Sequence, residues 1–196
     1  MTKTRELFIV EGESAASTVR QAMLKTTQSV IAVQGKLLNV VKATPNRVLA
    51  NQECKKIFQS LACGIGDNCM SDYLEFTHVL ILTDPDVDGA HARALLLSLF
   101  DHYLRPLVDS GYVYTIIPPL FRISGKYQEH CHYAWSEQEC VGILNKMVEN
   151  SESVITRFKG VAQFSTKECA QLLLHPKTRK QIQLSSAANI KYLENI

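Results

Sequence analysis

The sequence predicts an α/β fold in which a parallel sheet is flanked by helices and followed by a small α+β segment. Three short apolar runs, at residues 7–10, 30–33 and 78–82, have the length of buried strands. Segments with helical periodicity separate these runs, and strands that alternate with helices are typical of a parallel sheet. At 196 residues and 46% hydrophobic content, the chain can bury one core and a small appended lobe.

The order of the elements follows from turn residues and apolar spacing. The first strand runs into a turn at Gly12, and Ser14 is the predicted cap of a helix over about residues 14–25. A turn at residues 34–36 follows the second strand, and one helix is predicted around residues 48–58. The third strand precedes a long helix whose apolar side contains Leu95, Leu96, Leu99, Phe100 and Tyr103.

The C-terminal third is predicted to form a separate unit. A hinge is expected at residues 125–126, which divides the chain into residues 1–125 and 126–196. Two residue pairs in the second unit have the spacing of a capping box, and each pair predicts the start of a short helix: Ser136 with Glu139, and Ser165 with Glu168.

Acidic residues follow two of the predicted strands at the point where each strand ends. Asp84, Asp86 and Asp88 come directly after the third strand, and Glu11 follows the first. Because the carboxyl ends of parallel strands meet at the same edge of a sheet, these side chains are expected to converge. Carboxylates held close together must bind protons, basic groups or a metal ion, and a site built only from oxygen ligands suits Mg²⁺.

The acidic run also has simpler interpretations. Asp-Pro and Asp-Gly pairs after a strand are common in turns, and on these residues alone plain turn chemistry stays open. A calcium-binding EF-hand loop is excluded, because Leu95 stands at the twelfth position, where that loop requires Glu.

Several ordered motifs give the chain a resemblance to a known family. They are EGESA at residues 11–15, QGKLLNV at 34–40, DPDVDGAH at 84–91, YVY at 112–114, PPLFRI at 118–123, RFKG at 157–160 and HPKTR at 175–179. In order and spacing they resemble the Toprim domain, and the tail after it, of type IIA DNA topoisomerase B subunits. This class contains the B subunits of DNA gyrase and of topoisomerase IV, and the motifs resemble the latter most. The resemblance implies a Rossmann-like Toprim domain at residues 1–125 and the B-subunit tail at residues 126–196.

The resemblance implies an acidic metal site that takes part in cleavage and religation of DNA. Glu11, Asp84, Asp86 and Asp88 match the metal-site residues of the family, and the implied ion is Mg²⁺, with Mn²⁺ as a substitute. Glu11 is also the implied catalytic residue, which would pass a proton during religation. ATP is implied only for a complete topoisomerase B chain, because this chain has no glycine-rich loop that would cradle phosphates.

Double-stranded DNA and a topoisomerase A-type subunit are the implied partners. Lys36 and Asn39 match family positions that contact DNA, and His91, Lys159 and Arg179 are further candidates for that role. Residues 157–180 carry six basic residues and one acidic residue, which is typical of phosphate binding without sequence readout, although a solvated basic face is the alternative. In this family the nucleophilic tyrosine belongs to the A-type subunit, so none of the seven tyrosines here is assigned that role.

Composition agrees with a cytoplasmic, chromosome-associated protein. No apolar run approaches the ~20 residues of a membrane span, so no membrane partner is expected, and the polar start does not resemble a signal peptide. The six cysteines include no C-x-x-C pair, which argues for reduced thiols. The net charge is only +2, so the basic segment and not the total charge indicates nucleic-acid binding.

Two classes of function are expected. In the first, the chain is a metal-binding and DNA-binding module that completes the cleavage site of a topoisomerase. In the second, it is a truncated stand-alone paralogue that binds DNA or the A-type subunit as a non-catalytic regulator. A nuclease is a weaker third class, since no residue is identified that would position a water. The sequence departs from the family pattern at Glu13, Gln34 and Pro85. Because the first turn is altered and the ATPase region of a complete B subunit is missing here, the isolated chain is expected to support at most trace cleavage.

Overall fold

The computed structural model describes residues 5–35, 37–125, 131–147 and 153–184, which form two sheets with helices around them. The strands are β1 (Glu6–Glu11), β2 (Gln28–Val33), β3 (His78–Leu82), β4 (Val113–Ile116), β5 (Phe121–Gly125), β6 (Cys131–Ala134), β7 (Ser153–Arg157) and β8 (Gln181–Gln183). The α-helices are α1 (Glu13–Ala22), α2 (Pro45–Ala50), α3 (Gln52–Leu61), α4 (Val87–Tyr103), α5 (Arg105–Asp109), α6 (Glu137–Leu144) and α7 (Thr166–Glu168). Helix α7 continues directly into a π-helix at Cys169–Leu174.

The first sheet has five strands in the order β2-β1-β3-β4-β8. Strands β2, β1, β3 and β4 are parallel, and β8 pairs with β4 in the antiparallel direction. Helical connections join the parallel strands, as the alternation of strands and helices in the sequence indicates. The predicted α/β fold with a parallel sheet flanked by helices is therefore confirmed.

Both faces of this sheet are buried, and alternate residues of each strand face opposite cores. Leu7 and Ile9 of β1 lie in a core formed with α3, α4 and α5. Phe8 and Val10 lie in the other core, formed with α1 and with tail residues between Phe158 and the π-helix. This two-sided burial explains why the strands are continuous apolar runs. In the described part of the chain, no helix is long and apolar enough to cross a membrane.

The second sheet is antiparallel, with the order β6-β5-β7, and packs a small core against α6. The chain then returns to the first sheet, because β8 adds to its β4 edge. Strand β5 ends at the predicted hinge but pairs only with strands that follow it among the described residues. The division of the chain at residue 125 stays a prediction.

Two helix starts differ from those predicted. Helix α1 begins at Glu13 after the N-cap residue Gly12, whose φ is 80°, so Ser14 lies inside the first turn and the prediction of Ser14 as the cap was wrong. Residues with a Cβ rarely adopt this φ, so the glycine turn determines where α1 starts. The single helix predicted around residues 48–58 is two helices, because Asn51 is extended and its side chain caps α3 by accepting two backbone N–H groups.

The two capping pairs of the tail are both present, one complete and one altered. The Ser165 hydroxyl accepts the N–H of Glu168, and the Glu168 carboxylate accepts the N–H of Ser165, which is a complete capping box. The Ser136 hydroxyl accepts the N–H of Glu139, but the Glu139 carboxylate accepts the N–H of Trp135. The second half of that box is therefore displaced by one residue.

A buried ion pair fastens the tail to the amino end of β1. The guanidinium of Arg179 donates to both carboxylate oxygens of Glu6, at 2.8 and 3.1 Å, and to the carbonyl of Leu174 at 3.0 Å. The amide of Gln28 also donates to Glu6, at 2.8 Å. The side chains of Arg179 and Glu6 are only 1% and 3% exposed. Each charge is thus matched inside the protein, and loss of either partner would leave the other charge buried without compensation.

We expect Arg179→Met to lower the free energy of unfolding by about 3–5 kcal/mol, because Glu6 would remain buried and unpaired. Urea unfolding at neutral pH measures this loss. Arg105→Met is the matched control, since Arg105 is half-exposed beside Asp101 and Asp109 and should cost less than about 1 kcal/mol. The double variant Glu6→Leu, Arg179→Met should recover most of the loss. If Arg179→Met and Arg105→Met were equally stable, the stabilising role of the Arg179–Glu6 ion pair would be contradicted.

Candidate functional site

The carboxyl ends of β1 and β3 open into a cavity of about 480 Å³. Glu11, Asp84, Asp88 and His91 line it together with the turn that begins α1. Gly35 and Leu37 also line it, so the loop after β2 reaches the same place as the two acidic turns. This is the edge of the sheet at which the sequence predicts the acidic residues to converge.

Strand register brings the acidic residues together. In the parallel pairing of β1 with β3, Val10 lies opposite Leu82, the last residue of β3, so β1 extends one residue further. Glu11 is the last residue of β1, and Asp84 follows β3 by two positions. Gly12 then turns the chain into α1 without placing a side chain in the cavity.

Asp86 has a different environment from the other three acids. Its carboxylate accepts the N–H of Gly89 at 2.7 Å and caps α4, while Asp88 lies in the first turn of that helix. Asp86 lines a second cavity of about 480 Å³, which also contains Asp84, Trp135 and Arg157. Asp84 therefore lines both cavities, whereas Glu11 lines only the first and Asp86 lines only the second.

The site concentrates negative charge, and among the described residues burial and mutual repulsion act on its carboxyl groups. Burial raises the pKa of Glu11, and Asp84, Asp86 and Asp88 raise it further, while the backbone N–H of Asp84 partly offsets this. Burial also raises the pKa of Asp84, against the lowering effect of an N–H from Val161. The Oε2 atom of Glu11 is buried and has no hydrogen-bond partner in the described part of the chain. A buried carboxylate oxygen without a partner requires a proton or a cation.

The donor set fits a hard divalent cation, although the side chains do not enclose one. Among the described residues, no three His, Cys, Asp or Glu side chains are arranged so that they could hold a metal ion. The unpartnered oxygen of Glu11 and the carboxylates of Asp84 and Asp88 nevertheless share one cavity and present only oxygen ligands. Mg²⁺ retains several waters and needs few protein carboxylates, so a loose acidic cavity is compatible with it.

A glutamate that the metal-site prediction does not include also lines the cavity. Glu13 is exposed and forms an ion pair with Arg20, and the hydrogen bond from Arg20 lowers the pKa of this carboxyl group. Its charge is therefore already matched by α1 itself. Although Glu11 and Glu13 are only two residues apart, the pKa of Glu11 is raised and the pKa of Glu13 is lowered.

The predicted DNA-contacting residues have different locations. His91 is exposed in the cavity, and Lys159 is exposed next to Gly160, which lies against Asp84. The Asn39 side chain accepts the N–H groups of Val41 and Lys42, so it supports a turn near the cavity. Lys36 lies outside the described residues.

The prediction of a phosphate contact for Arg179 does not agree with the structure. Its guanidinium is buried in the ion pair with Glu6 at the opposite end of β1, about 16 Å along the strand from Glu11 at ~3.3 Å per residue. A buried and fully paired guanidinium is not available to DNA. Within residues 157–180 the other five basic residues are exposed, namely Arg157, Lys159, Lys167, Lys177 and Lys180. Lys180 lies 3.7 Å from the centre of the Trp135 ring.

The tail contributes a contact to the site that the sequence did not predict. The N–H of Val161 donates to Oδ1 of Asp84 at 2.7 Å, and Ala162 lines the cavity. The available signal was the RFKG motif at residues 157–160, which ends at this contact. Residue types could not predict this contact, because the donor is a backbone N–H group that every residue except proline has.

Comparison with known proteins agrees with this architecture. The Toprim domain model matches residues 6–116. The DNA gyrase B subunit of Thermotoga maritima is 38% identical over 180 residues, which are 92% of this chain and 28% of the relative. The gyrase B subunits of Archaeoglobus fulgidus (38% over 181 residues) and Haloferax volcanii (34% over 193 residues) cover 92% and 97% of this chain. The chain spans less than a third of the length of these relatives.

These matches confirm the family resemblance that the motifs indicate. They cover the β1 to β4 sheet and its acidic edge, and the gyrase relatives extend the similarity into the tail. The stronger resemblance to topoisomerase IV stays a prediction, because these three relatives are gyrase subunits. With more than half of its residues in the matched region and the parallel sheet in place, the chain belongs to the Toprim domain family.

Proposed function

We propose that this chain is the Toprim module of a type IIA DNA topoisomerase of the gyrase and topoisomerase IV class, as found in their B subunits. In this role it holds a divalent cation, contacts double-stranded DNA and supports cleavage and religation together with a tyrosine-bearing A-type subunit. The observation that carries the proposal is the buried, unpartnered Oε2 atom of Glu11, in the described part of the chain, at an edge shared with Asp84 and Asp88. Membership of the Toprim family and similarity to gyrase B subunits support it.

The proposed cation is Mg²⁺, for which Mn²⁺ can substitute. Glu11 and Asp84 would hold it, with Asp88 in the same cavity and Asp86 on the adjoining side of the loop. Burial first, and then repulsion between the carboxylates, raises the pKa of Glu11 and of Asp84, and a cation here would offset that repulsion. When bound, the ion supplies neutralisation of negative charge at the reacting phosphate and the 3′ oxygen.

The protein's own contribution to the reaction is proton transfer and positioning. A carboxyl group with a raised pKa holds a proton closer to neutral pH, so Glu11 can exchange a proton with the 3′ oxygen during cleavage and religation. His91 is exposed in the acidic cavity and Lys159 is exposed next to Gly160, which lies against Asp84, so both can contact DNA phosphates.

Asn39 belongs to the loop after β2, of which Gly35 and Leu37 line the cavity. Lys36, which lies outside the described residues, is proposed as a further DNA contact from its match to the family motif.

The remaining parts of the reaction are proposed to come from other polypeptide segments. The A-type subunit supplies the tyrosine nucleophile, and ATP is used only by the ATPase region of a complete topoisomerase. The working location is then the chromosome in the cytoplasm. A non-catalytic regulator that binds DNA or the A-type subunit is the alternative, and a cleavage experiment separates the two.

We expect Glu11→Gln to stabilise the metal-free protein at neutral pH. Because the pKa of Glu11 is raised in the folded state, the wild type loses stability as the pH rises from the ordinary value of 4.5 through the native pKa. The variant has no such loss, so its urea midpoint at pH 7 in EDTA should exceed that of the wild type, and this advantage should shrink towards pH 4. MgCl₂ should raise only the wild-type midpoint.

Glu13→Gln is the matched control for this experiment. Arg20 lowers the pKa of Glu13, so its contribution to stability is present above pH 4.5 and is lost on acidification. Its removal should therefore give no gain at pH 7. The same gain in both variants would show that general charge reduction, and not the environment of Glu11, causes the effect.

Lys159→Ala should weaken DNA binding and make it less dependent on salt. If Lys159 neutralises one phosphate, the slope of log K against log salt concentration should become shallower by about 0.9. Fluorescence anisotropy with a short duplex at several salt concentrations measures the slope. Lys25→Ala is the control, since Lys25 is exposed in the connection before β2, at the opposite end of the sheet. Identical slopes for both variants would remove Lys159 from the DNA contact.

Covalent DNA cleavage tests the proposed function directly. With the A-type subunit of a gyrase or topoisomerase IV, Mg²⁺ and supercoiled plasmid, the chain should give trace amounts of detergent-trapped cleavage complex, and Glu11→Ala should abolish them. Complete absence of cleavage, together with dose-dependent inhibition of a complete topoisomerase, would contradict the proposal and support the regulator.

A further inference from the structure

The main chain of the tail lies directly against the carboxylate of Asp84. The N–H of Val161 donates to Oδ1 at 2.7 Å. A Cβ atom added at Gly160 would lie 3.1 Å from Oδ2 and 3.2 Å from both Cγ and Oδ1 of the same carboxylate. One oxygen of Asp84 thus accepts a hydrogen bond from the segment that follows β7, and the main chain of the same segment at Gly160 leaves little space beside the other oxygen.

This segment is held rigidly, so the donor has a defined position. Phe158, Val161 and Phe164 are buried in the core that contains α1, and the two phenylalanine rings stack with centroids 4.0 Å apart. A 3₁₀ turn at Val161–Gln163 follows Gly160, and the Gln163 side chain accepts the N–H of Lys159 at 2.5 Å. The contact with Asp84 is therefore enforced by packing and not by the local loop alone.

The absence of a side chain at position 160 leaves room for the Asp84 carboxylate, whereas the backbone angles there do not call for glycine. Its φ of −162° and ψ of 160° are extended values that any residue adopts. The constraint is the Asp84 carboxylate, which a methyl group would press upon at a separation tighter than ordinary van der Waals contact. A larger residue would move the carboxylate or the tail.

We propose that Gly160 and the N–H of Val161 are positioning groups that orient the Asp84 carboxylate towards the cation, so that the tail forms part of the metal site. The inference rests on the proposed function, in that it assumes a divalent cation at Glu11 and Asp84. The hydrogen bond fixes one carboxylate oxygen and withdraws charge from it, which reduces its repulsion with Glu11 and Asp86. Groups that orient a metal ligand in this way typically contribute about 10-fold to 100-fold in affinity.

Two consequences follow for the molecule. Cation affinity depends on the packing of residues 158–164, although none of their side chains needs to touch the ion. Conversely, a cation bound at Asp84 favours the packed position of the tail, because binding and packing share one carboxylate.

The test compares Val161→Pro with Val161→Ala, with Mn²⁺ as the probe. Proline removes the N–H that Asp84 accepts, and it suits this position because Gly160 is extended and Val161 begins a turn. Alanine keeps the N–H and also shortens the buried side chain, so it controls for lost packing. We expect Val161→Pro to bind Mn²⁺ about 10-fold more weakly than Val161→Ala, by titration followed with electron paramagnetic resonance.

A double-variant cycle distinguishes positioning from general damage. In an Asp84→Asn background, Val161→Pro should cause no further loss of Mn²⁺ affinity, whereas a defect in folding would add to the loss. Gly160→Ala should also weaken Mn²⁺ binding, and Gly142→Ala, where an added Cβ meets no atom within 4 Å, should not. If Val161→Pro does not fold, the comparison of Gly160→Ala with Gly142→Ala tests the positioning role instead.

The outcomes separate this inference from the proposed function. Wild-type protein that does not bind Mn²⁺ would overturn both. Wild-type protein that binds Mn²⁺, with Val161→Pro equal to Val161→Ala and Gly160→Ala equal to Gly142→Ala, would overturn the positioning role and leave the metal site intact.

Discussion

The parallel pairing of β1 with β3 is the constraint on which the acidic site depends. It places Val10 opposite Leu82, so that Glu11 at the end of β1 and Asp84 after β3 lie at the same edge of the sheet. Both strand faces are buried, and a slip of one residue would exchange the two cores. Burial of the strand side chains therefore holds the carboxylates of Glu11 and Asp84 close together, although they repel each other. The stability of the core offsets this local electrostatic cost, as is common at functional sites of proteins.

The tail stabilises and completes this arrangement from both ends of β1. At the amino end, Arg179 neutralises Glu6 in a buried, bidentate ion pair. At the carboxyl end, Val161 donates a backbone hydrogen bond to Asp84. Strand β8 extends the first sheet at its β4 edge. The second sheet is thus followed in the chain by segments that contact the acidic site and support β1, and similarity to gyrase B subunits also continues past the Toprim match.

Local patterns in the sequence predicted the strands and the acidic edge well, because apolar runs and strand-end carboxylates depend on near neighbours and on the general geometry of parallel sheets. They failed where a competing local interaction decided the outcome. The positive φ of Gly12 moved the start of α1 before Ser14, and the Asn51 side chain divided one predicted helix into two. They also failed for Arg179, because the residue type alone does not distinguish an exposed arginine from one in a buried ion pair.

The sequence by itself determined the parallel α/β class, the chemical identity of the acidic residues and their assignment to one edge. Periodicity and residue type carry that information, and neither requires knowledge of distant contacts. Only the tertiary structure decided which charges are matched. Arg179 is removed from the surface by a residue 173 positions away, Glu13 is neutralised within its own helix, and Glu11 is left with an oxygen that has no partner among the described residues. Charge compensation depends on which groups are packed within a few ångströms, and that is set by long-range folding.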